Sequence, residues 1–345
     1  MTTRMSAPTP NASERRRKYT SGGRDLDPDA PVTSVRLLGN DKISGEAHPD
    51  EHEFSESGRA LNRWFDEHAR DLPWRAPEVT PWGVLVSEVM LQQTQVERVR
   101  PVWEEWIHRW PDPSALAEEP LAEALRAWGR LGYPRRAARL HEAARVIVRE
   151  HDGRVPDRLD ALLALPGVGA YTARAVLAFA FGQRSPVVDV NVRRVLRRVW
   201  HGEADGPARA ADLPDALALL PEDPDEASKL SAALMELGQV VCAPESPNCD
   251  ICPINPCRWA RAGKPAAQAP AGRRAPRYAG SDRQARGAIL AALRESADPL
   301  RKAALDQAWL INPAQRERAI ASLIDDGLIH VDGEERVALG PAEQR

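Results

Sequence analysis

A glycine-containing turn near the middle of the chain has the chemistry of an anion-binding site. It opens the stretch from Leu165 to Arg198, which reads LPGVGAYTARAVLAFAFGQRSPVVDVNVRRVLRR. Gly167 and Gly169 permit a tight turn, and the helical composition that follows would point the first amides of a helix outward. Such amides suit a phosphate group. Taken alone, the turn could also be an ordinary connection between helices.

Positive charge is concentrated around this turn. Between Tyr133 and Arg198 there are 13 Arg and 6 Asp or Glu, although the whole chain has a net charge of -3. A local field of this sign favours a polyanion such as nucleic acid. The alternative, a solvated arginine face, is disfavoured by the turn in the same segment.

Two carboxyl groups are placed so that their protonation should differ. Glu88 lies on a predicted helix with apolar neighbours such as Leu85 and Leu91, so desolvation should raise its pKa and let it donate a proton near neutral pH. Asp189 is the predicted N-cap of a helix from Val190 to Trp200, which should keep it ionised. As alternatives, the glutamate could lie on the rim of an amphipathic helix, and the aspartate could act only as a cap.

These carboxyl groups and a projecting aromatic residue suit chemistry on a DNA base. The turn from Gly129 to Pro134, GRLGYP, places Tyr133 between helix breakers, where its ring would project. An enzyme that reacts with a base in a duplex must flip the base out, fill the space and hold the backbone. Cleavage of a glycosidic bond needs an acid for the leaving group and an anion for the cationic sugar.

The cysteines form a separate candidate site. All 4 lie in one short stretch, with gaps of 6, 2 and 4 residues between Cys242, Cys249, Cys252 and Cys257. This clustering is unusual for a disulfide scaffold and typical of a metal site. Four thiolates can bind zinc or an iron-sulfur cluster, and the spacing alone does not choose between them, with zinc as the default.

Helices must position these residues. The 345 residues are 43% hydrophobic, with few Phe and Tyr and many Ala, Leu and Arg, which predicts a mainly α fold of two or three domains. The helix that carries Glu88 should begin behind the N-cap Thr80 and continue through Val99. No apolar run has the length of a membrane span and no signal peptide is evident, so we predict a cytoplasmic, nucleoid-associated protein without a membrane partner.

The two ends of the chain differ from its centre. Residues 1–56 are polar and charged and predict a disordered tail, whereas residues 263–281, rich in Ala, Pro and Arg, predict a linker. Residues 282–345 suggest a small winged-helix-like module that ends in a hairpin around Asp332 and Gly333. The predicted helices of this module are Asp282 to Glu295, Leu300 to Trp309 and Pro313 to Asp326.

Several motifs together identify a family. The segments SEVMLQQTQV, GRLGYP, LPGVGAYTA, VVDVNVRRV, MELGQVVC and the cysteine cluster resemble the adenine-specific mismatch DNA glycosylases of the MutY type, in the helix-hairpin-helix superfamily that includes endonuclease III. The resemblance covers about residues 57–262. It implies a two-lobed fold with a cluster-bearing helical domain (57–80 and 185–262) and a helical barrel domain with the helix-hairpin-helix motif (81–184). It also implies a [4Fe-4S] cluster on the four cysteines.

The resemblance also implies an activity and a catalytic set. The substrate would be double-stranded DNA with adenine opposite 8-oxoguanine or guanine, bound by a monomer. Glu88 would protonate N7 of adenine and later assist water, and Asp189 would stabilise the cationic sugar. Tyr171 and Asn191 occupy the places of residues that support these two. Because Tyr171 stands where bifunctional relatives have a lysine, we expect a monofunctional glycosylase.

Further residues are assigned by the same match. The positions that line the adenine pocket are Trp74, Arg75, Leu91 and Glu236. The positions that wedge into the duplex or contact the lesion base are Gln93, Thr94, Leu131 and Tyr133. The last cysteine gap is one residue shorter than is common, Val190 replaces a usual glycine, and the end of the chain does not resemble the Nudix-like lesion-recognition domain of many members.

Two other functions remain as alternatives. One is a bifunctional glycosylase and lyase that acts on damaged pyrimidines with the same scaffold, which Tyr171 and the motif around Glu88 disfavour. The other is a non-catalytic DNA-binding or redox-sensing module that uses only the cluster and the basic face. Replacement of Glu88 would leave the behaviour of such a module unchanged.

Overall fold

The computed structural model describes residues 51–266 and 278–342, and the predicted mainly α fold is confirmed. The helices are α1 (Glu51–His68), α2 (Pro81–Leu91), α3 (Val96–Arg109), α4 (Pro113–Ala117), α5 (Leu121–Trp128), α6 (Arg135–Glu150), α7 (Leu159–Leu163), α8 (Ala170–Phe181), α9 (Val190–Leu196), α10 (Asp212–Leu219), α11 (Pro224–Val240), α12 (Arg258–Arg261), α13 (Asp282–Glu295) and α14 (Pro313–Asp325). The strands are β1 (Leu300–Arg301), β2 (Ile329–Val331) and β3 (Arg336–Leu339). Across the two described ranges, no helix is both long and apolar enough to cross a membrane.

The described residues form two compact units. The first contains residues 51–84 and 174–265, and the second contains residues 85–173 together with 278–342. The C-terminal residues, which the sequence assigned to a separate module, therefore belong to the second unit. The physical reason is that this segment contacts α5 through Arg126 and α6 through Arg135.

The ends of the predicted segments also need correction. The tail predicted for residues 1–56 extends too far, because α1 already begins at Glu51. The stretch EHEFSE at 51–56 contains neither glycine nor proline, so its composition does not stop the helix. The rest of the predicted tail, and residues 267–277 of the predicted linker, lie outside the described residues.

The core of the first unit is built around α11, which packs against α1 and α9. Most of α11 is buried between Ala227 and Gly238, and many of its residues are small. A Cβ at Gly238 would lie 2.8 Å from Cβ of Asn191, so the residue must be glycine for α11 to approach α9 this closely. The close packing holds the start of α9 in place.

The second unit contains a tryptophan cluster. Trp106 of α3 contacts Trp110 and Trp128 in edge-to-face geometry, with ring centroids 4.6 and 5.7 Å apart. All three side chains are almost completely buried. Such pairs stabilise a core beyond the effect of their buried area. The cluster fixes the C-terminal end of α5, immediately before the GRLGYP turn.

The end of the second unit forms a three-stranded antiparallel sheet in the order β1-β3-β2. The predicted hairpin around Asp332 is confirmed, since β2 pairs with β3 on either side of it. The helix predicted from Leu300 to Trp309 is wrong. Leu300 instead pairs with Val337, and a 3-10 helix follows at Lys302–Asp306. Pairing with a distant strand overrides the local helical composition of this segment.

Candidate active site

Glu88 lies on a helix that is buried on nearly every side. The predicted N-cap of α2 is confirmed, because Thr80 Oγ1 accepts a hydrogen bond of 3.3 Å from the amide of Gly83. Every residue from Trp82 to Leu91 is buried, so α2 has protein core on all its faces. Glu88 itself is 0% exposed. An environment with so little water disfavours the charged form of a carboxyl group.

The end of α2 is joined to the start of α8. The Gln92 side-chain amide donates a hydrogen bond of 3.3 Å to Thr172 Oγ1, and Thr172 is buried in the first turn of α8. Tyr171 is the adjacent residue in that turn. The helix that carries the candidate acid is thus tied to the helix that carries the tyrosine.

The phosphate-binding turn predicted at LPGVG connects α7 to α8 in the second unit. Gly167 has a φ of +78°, and a Cβ there would lie 2.8 Å from Cβ of Arg139. Only glycine fits this backbone and this close approach. By contrast, a Cβ at Gly169 would meet nothing within 4 Å, so Gly169 is not required by packing. Gly167 thus sets the path of the backbone that enters the N-terminus of α8.

Asp189 caps α9 as predicted. Its Oδ1 accepts a hydrogen bond of 2.7 Å from the amide of Val192, and its Oδ2 accepts one of 2.8 Å from the side chain of Asn191. Both oxygens are therefore held in a fixed direction. The helix predicted to continue to Trp200 ends at Leu196 and passes into a single π-helical turn, Arg197–His201.

Burial and hydrogen bonding have opposite effects on the pKa of Asp189. The helix end predicts an ionised carboxylate, and burial acts against this by raising the pKa of Asp189 above the ordinary value. The amide of Val192, the side chain of Asn191 and the charge of Arg194 oppose the rise without cancelling it. Removal of the carboxylate from water has the largest effect on this pKa, and the sequence alone does not show that burial.

Arg194 is a positioning residue that the sequence analysis missed. It is 2% exposed, and its Nη2 donates to Asn191 Oδ1 at 2.8 Å and to the carbonyl of Gly238 at 2.6 Å. Its Nε donates to the carbonyl of Cys242 at 2.7 Å. One guanidinium therefore orients the amide that binds Asp189 and also holds the first cysteine of the cluster segment. The only sequence signal is its place in VVDVNVRRV.

Glu236 is part of a buried ion-pair network. Arg70 Nε lies 2.6 Å from its Oε1, and Arg75 Nη2 lies 2.6 Å from its Oε2. Burial alone would raise the pKa of Glu236, but the hydrogen bonds and charges of the two arginines hold it below the ordinary value. The network joins Arg75 and Glu236, which are two of the four residues assigned to the adenine pocket. The third and fourth, Trp74 and Leu91, are almost completely buried.

The helix predicted to continue through Val99 is interrupted after Leu91. Gln93 adopts a φ of +54° and is exposed, whereas Thr94 is 4% exposed. Arg136 explains the interruption. Its guanidinium donates hydrogen bonds to the carbonyls of Val89 and Met90 at the end of α2, and to Thr94 Oγ1 at 2.9 Å. These bonds satisfy the last carbonyls of α2 and hold Gln93 in a strained, outward position.

Arg136 also holds the GRLGYP turn. Its Nη2 donates to the carbonyl of Gly132 at 3.2 Å, and its guanidinium lies 5.3 Å from the ring centroid of Tyr133. Tyr133 has a φ of +48° and is 51% exposed, as its position between helix breakers predicted. Leu131 is 3% exposed, so in this conformation its side chain does not project as a wedge. Its backbone follows the C-cap of α5 and turns the side chain into the core.

The four cysteines line one cavity in the first unit. The side chains are free thiols, and the cavity wall also includes Val199, Leu237, Ile254 and Trp259. Burial raises the pKa of Cys252 to about 11 and also raises that of Cys242. In the part of the chain that the structure describes, no group of three or more His, Cys, Asp or Glu side chains is arranged to hold a metal ion. The donor set is nevertheless all thiol and faces a common space.

Comparison with known structures defines the class of protein. A thermostable thymine-DNA glycosylase is 27% identical, with a TM-score of 0.56 over 61% of this chain and 98% of that one. A trapped endonuclease III-DNA covalent intermediate, 23% identical, has a TM-score of 0.54 over 62% of this chain and 99% of that one, and shares the fold. Residues 86–212 match the HhH-GPD superfamily of base excision DNA repair proteins. The chain thus has the helix-hairpin-helix fold of these DNA repair proteins.

A close relative then gives the family. The adenine DNA glycosylase of Mycolicibacterium smegmatis is 56% identical over 279 residues, which cover 81% of this chain and 94% of that protein. This chain belongs to the adenine DNA glycosylase family. The resemblance seen in the sequence motifs is confirmed.

Proposed function

We propose that this protein excises adenine from DNA in base excision repair, choosing adenine that is mispaired with 8-oxoguanine or guanine. The observation that carries the proposal is the family membership together with a fully buried Glu88 and an Asp189 whose two oxygens are fixed. The target base would be flipped from the duplex, and its N-glycosidic bond hydrolysed with acid assistance.

Glu88 is the proposed acid. Glu88 is completely buried, and in its neutral form it could donate a proton to N7 of adenine and so improve adenine as a leaving group. After the base departs, the resulting carboxylate can accept a proton from the attacking water. The same side chain would therefore serve in both halves of the hydrolysis.

Asp189 is the proposed anion beside the sugar. As the glycosidic bond breaks, positive charge develops on the deoxyribose, and a carboxylate in a poorly hydrated site stabilises it strongly. Asn191 and the amide of Val192 hold the carboxylate so that it need not reorganise during the reaction. Asn191 is a positioning residue in this scheme.

Tyr171 supports a monofunctional reaction. A lyase forms a Schiff base through a lysine amine, and a phenol cannot form one. The product would be an abasic site with the DNA strand intact. Tyr171 would instead support Glu88 from the first turn of α8.

Recognition of the mispair is assigned to the exposed residues of the second unit. Gln93 and Tyr133 both project with left-handed backbone conformations that Arg136 maintains. Residues held in strained, exposed positions are frequently functional. We propose that these two side chains enter the duplex beside the mispair, while the amides at Gly167 bind its backbone.

The cysteine cavity is the proposed site of a [4Fe-4S] cluster. Its four thiols would bind as thiolates, and Arg198 Nη1, 3.5 Å from Cys242 Sγ, would offset part of their negative charge. When bound, the cluster would stabilise the fold of this segment, and no chemical step of base removal is assigned to it.

Single-turnover excision on defined duplexes tests the proposal. Adenine opposite 8-oxoguanine or guanine should be removed, adenine opposite thymine should not, and borohydride should trap no protein-DNA adduct. Excision of oxidised pyrimidines with efficient trapping would instead indicate a bifunctional lyase. DNA binding without any excision would indicate a non-catalytic module.

A further inference from the structure

The C-terminal segment, residues 278–342, contacts both helices that flank the GRLGYP turn. The turn, residues 129–134, connects α5 to α6, and Tyr133 is its exposed residue. Residues 278–342 belong to the same compact unit as these two helices. Three sets of contacts join the segment to α5 and α6.

The first contact is between Arg126 and the end of α13. Arg126 lies in the last turn of α5, and its Nη1 donates to the carbonyls of Leu293, Arg294 and Ser296 at 3.1, 3.0 and 2.7 Å. Helix ends leave such carbonyls without partners from the helix itself. A guanidinium there satisfies them and complements the negative end of the helix dipole. The end of α5 is thereby attached to the end of α13.

The second contact is a shared carboxylate. Asp326, directly after α14, is paired with Arg135, the first residue of α6, and with Arg286 of α13. The Asp326 side chain is 7% exposed. Burial alone would raise its pKa, but the two guanidinium groups hold the pKa below the ordinary value. The carboxylate is therefore ionised and bridges the start of α6 to two helices of the C-terminal segment.

The third contact is backbone packing at the start of α5. A Cβ at Gly340, just after β3, would lie 3.4 Å from the amide nitrogen of Ala122. The sheet therefore reaches α5 at the opposite end from Arg126. With α5 held at both ends and α6 held at its first residue, the turn between them has little freedom.

We propose that residues 278–342 act as a brace that holds the GRLGYP turn in the conformation that inserts Tyr133 into DNA. The proposal rests on the proposed function in so far as Tyr133 contacts the duplex. It assigns the segment a role within the protein rather than a DNA-reading role of its own.

The charges of the segment favour a brace over a DNA reader. Residues 282–342 contain 8 Lys or Arg and 10 Asp or Glu, whereas DNA binding depends on cations that neutralise phosphates. Four further cations of the segment have carboxylate partners within it. These pairs are Arg316 with Asp306, Lys302 with Glu317, Arg318 with Asp282 and Arg336 with Asp332.

Hydrogen exchange of the full-length protein without DNA tests the brace directly. The double variant Arg126→Ala/Arg135→Ala removes the first two of these contacts and leaves every residue of the C-terminal segment unchanged. We expect exchange in residues 129–134 to become about tenfold faster, because hydrogen bonds that restrict the turn are lost. Exchange in α8 should not change. Arg135→Gln, at a half-exposed position, should fold normally and give a smaller increase.

The matched control is Arg318→Ala/Arg336→Ala, which removes two exposed cations whose ion-pair partners, Asp282 and Asp332, lie within the segment itself. The brace predicts wild-type exchange and DNA affinity for this control. It predicts weaker DNA binding by Arg126→Ala/Arg135→Ala, by about tenfold, with little change in the excision rate at saturating enzyme.

Two results would overturn the brace. One is unchanged exchange at 129–134 in both the double variant and Arg135→Gln. The other is weakened DNA binding in the Arg318→Ala/Arg336→Ala control, which would show that the segment binds DNA itself. Exchange is measured without substrate, so a failure of adenine excision in the wild-type protein would be a separate result.

Discussion

The side-chain amide of Asn191 donates a hydrogen bond of 2.8 Å to Oδ2 of Asp189. Asn191 is in turn held through its oxygen by Arg194, also at 2.8 Å. A chain of two buried side chains therefore helps the amide of Val192 to orient the carboxylate proposed to stabilise the sugar cation. This chain gives two of the predictions below.

Asn191→Ala should reduce adenine excision by about 10- to 100-fold, because a hydrogen bond to a charged group contributes about 1.5–3 kcal/mol. The protein should still bind duplex DNA, since the substitution leaves the second unit unchanged. Single-turnover excision and duplex affinity, measured side by side, check this. A wild-type rate in Asn191→Ala would remove the positioning role from this residue.

As the pH falls, excision should be lost at a higher pH than the ordinary pKa of an aspartate would give. Burial raises the pKa of Asp189, and the ionised form is needed, so activity is lost as pH falls through that raised pKa. Arg194→Gln removes a charge that opposes the rise, so its acidic limb should lie at higher pH than the wild-type limb. Single-turnover rates across the acidic pH range measure this shift.

The control for this pH profile is Arg193→Gln, because Arg193 is adjacent to Arg194 in the chain but is not among the main influences on the pKa of Asp189. Its acidic limb should match that of the wild type. An acidic limb that stays in place in Arg194→Gln would show that Asp189 is not the titrating group.

Arg136→Lys should destabilise the protein by about 2 kcal/mol, since an ammonium cannot reach the carbonyls and the hydroxyl that the guanidinium fork holds. DNA affinity should fall as well, because both Gln93 and Tyr133 lose their support. Urea unfolding and duplex binding are the measurements. The control is Arg145→Lys, at an exposed position of the same helix, which should change neither quantity.

Iron analysis tests the cysteine cavity. Protein purified without oxygen should contain four irons per chain and show broad visible absorbance, and Cys252→Ser should lose iron and lower the melting temperature. The melting temperature gives a readout that is independent of excision. Protein that binds zinc instead, with no iron and full stability, would contradict the cluster.

Local features were predictable from the sequence where nearby residues determine them. The caps at Thr80 and Asp189 follow from side chains that bind amides a few residues away. The projection of Tyr133 follows from the breakers beside it. The mainly α fold follows from composition, and the family follows from motifs that recur together.

Features set by distant residues were not predictable in the same way. The end of α2 depends on Arg136, more than forty positions later in the chain, and the helix expected at Leu300 gave way to strand pairing with Val337. The raised pKa of Asp189 depends on burial, which a helix-cap argument does not include. Arg136 and Arg194 were missed because arginine has many surface roles, and only the fold shows which carbonyls each one holds.

The central claim is that Glu88 supplies the proton that releases adenine. Its most direct test is single-turnover excision by Glu88→Gln on a duplex with adenine opposite 8-oxoguanine, at enzyme concentrations where binding is complete. We expect duplex affinity close to that of the wild type and an excision rate lower by about 10²–10⁴-fold, the usual contribution of a general acid. Excision by Glu88→Gln at the wild-type rate would contradict the claim.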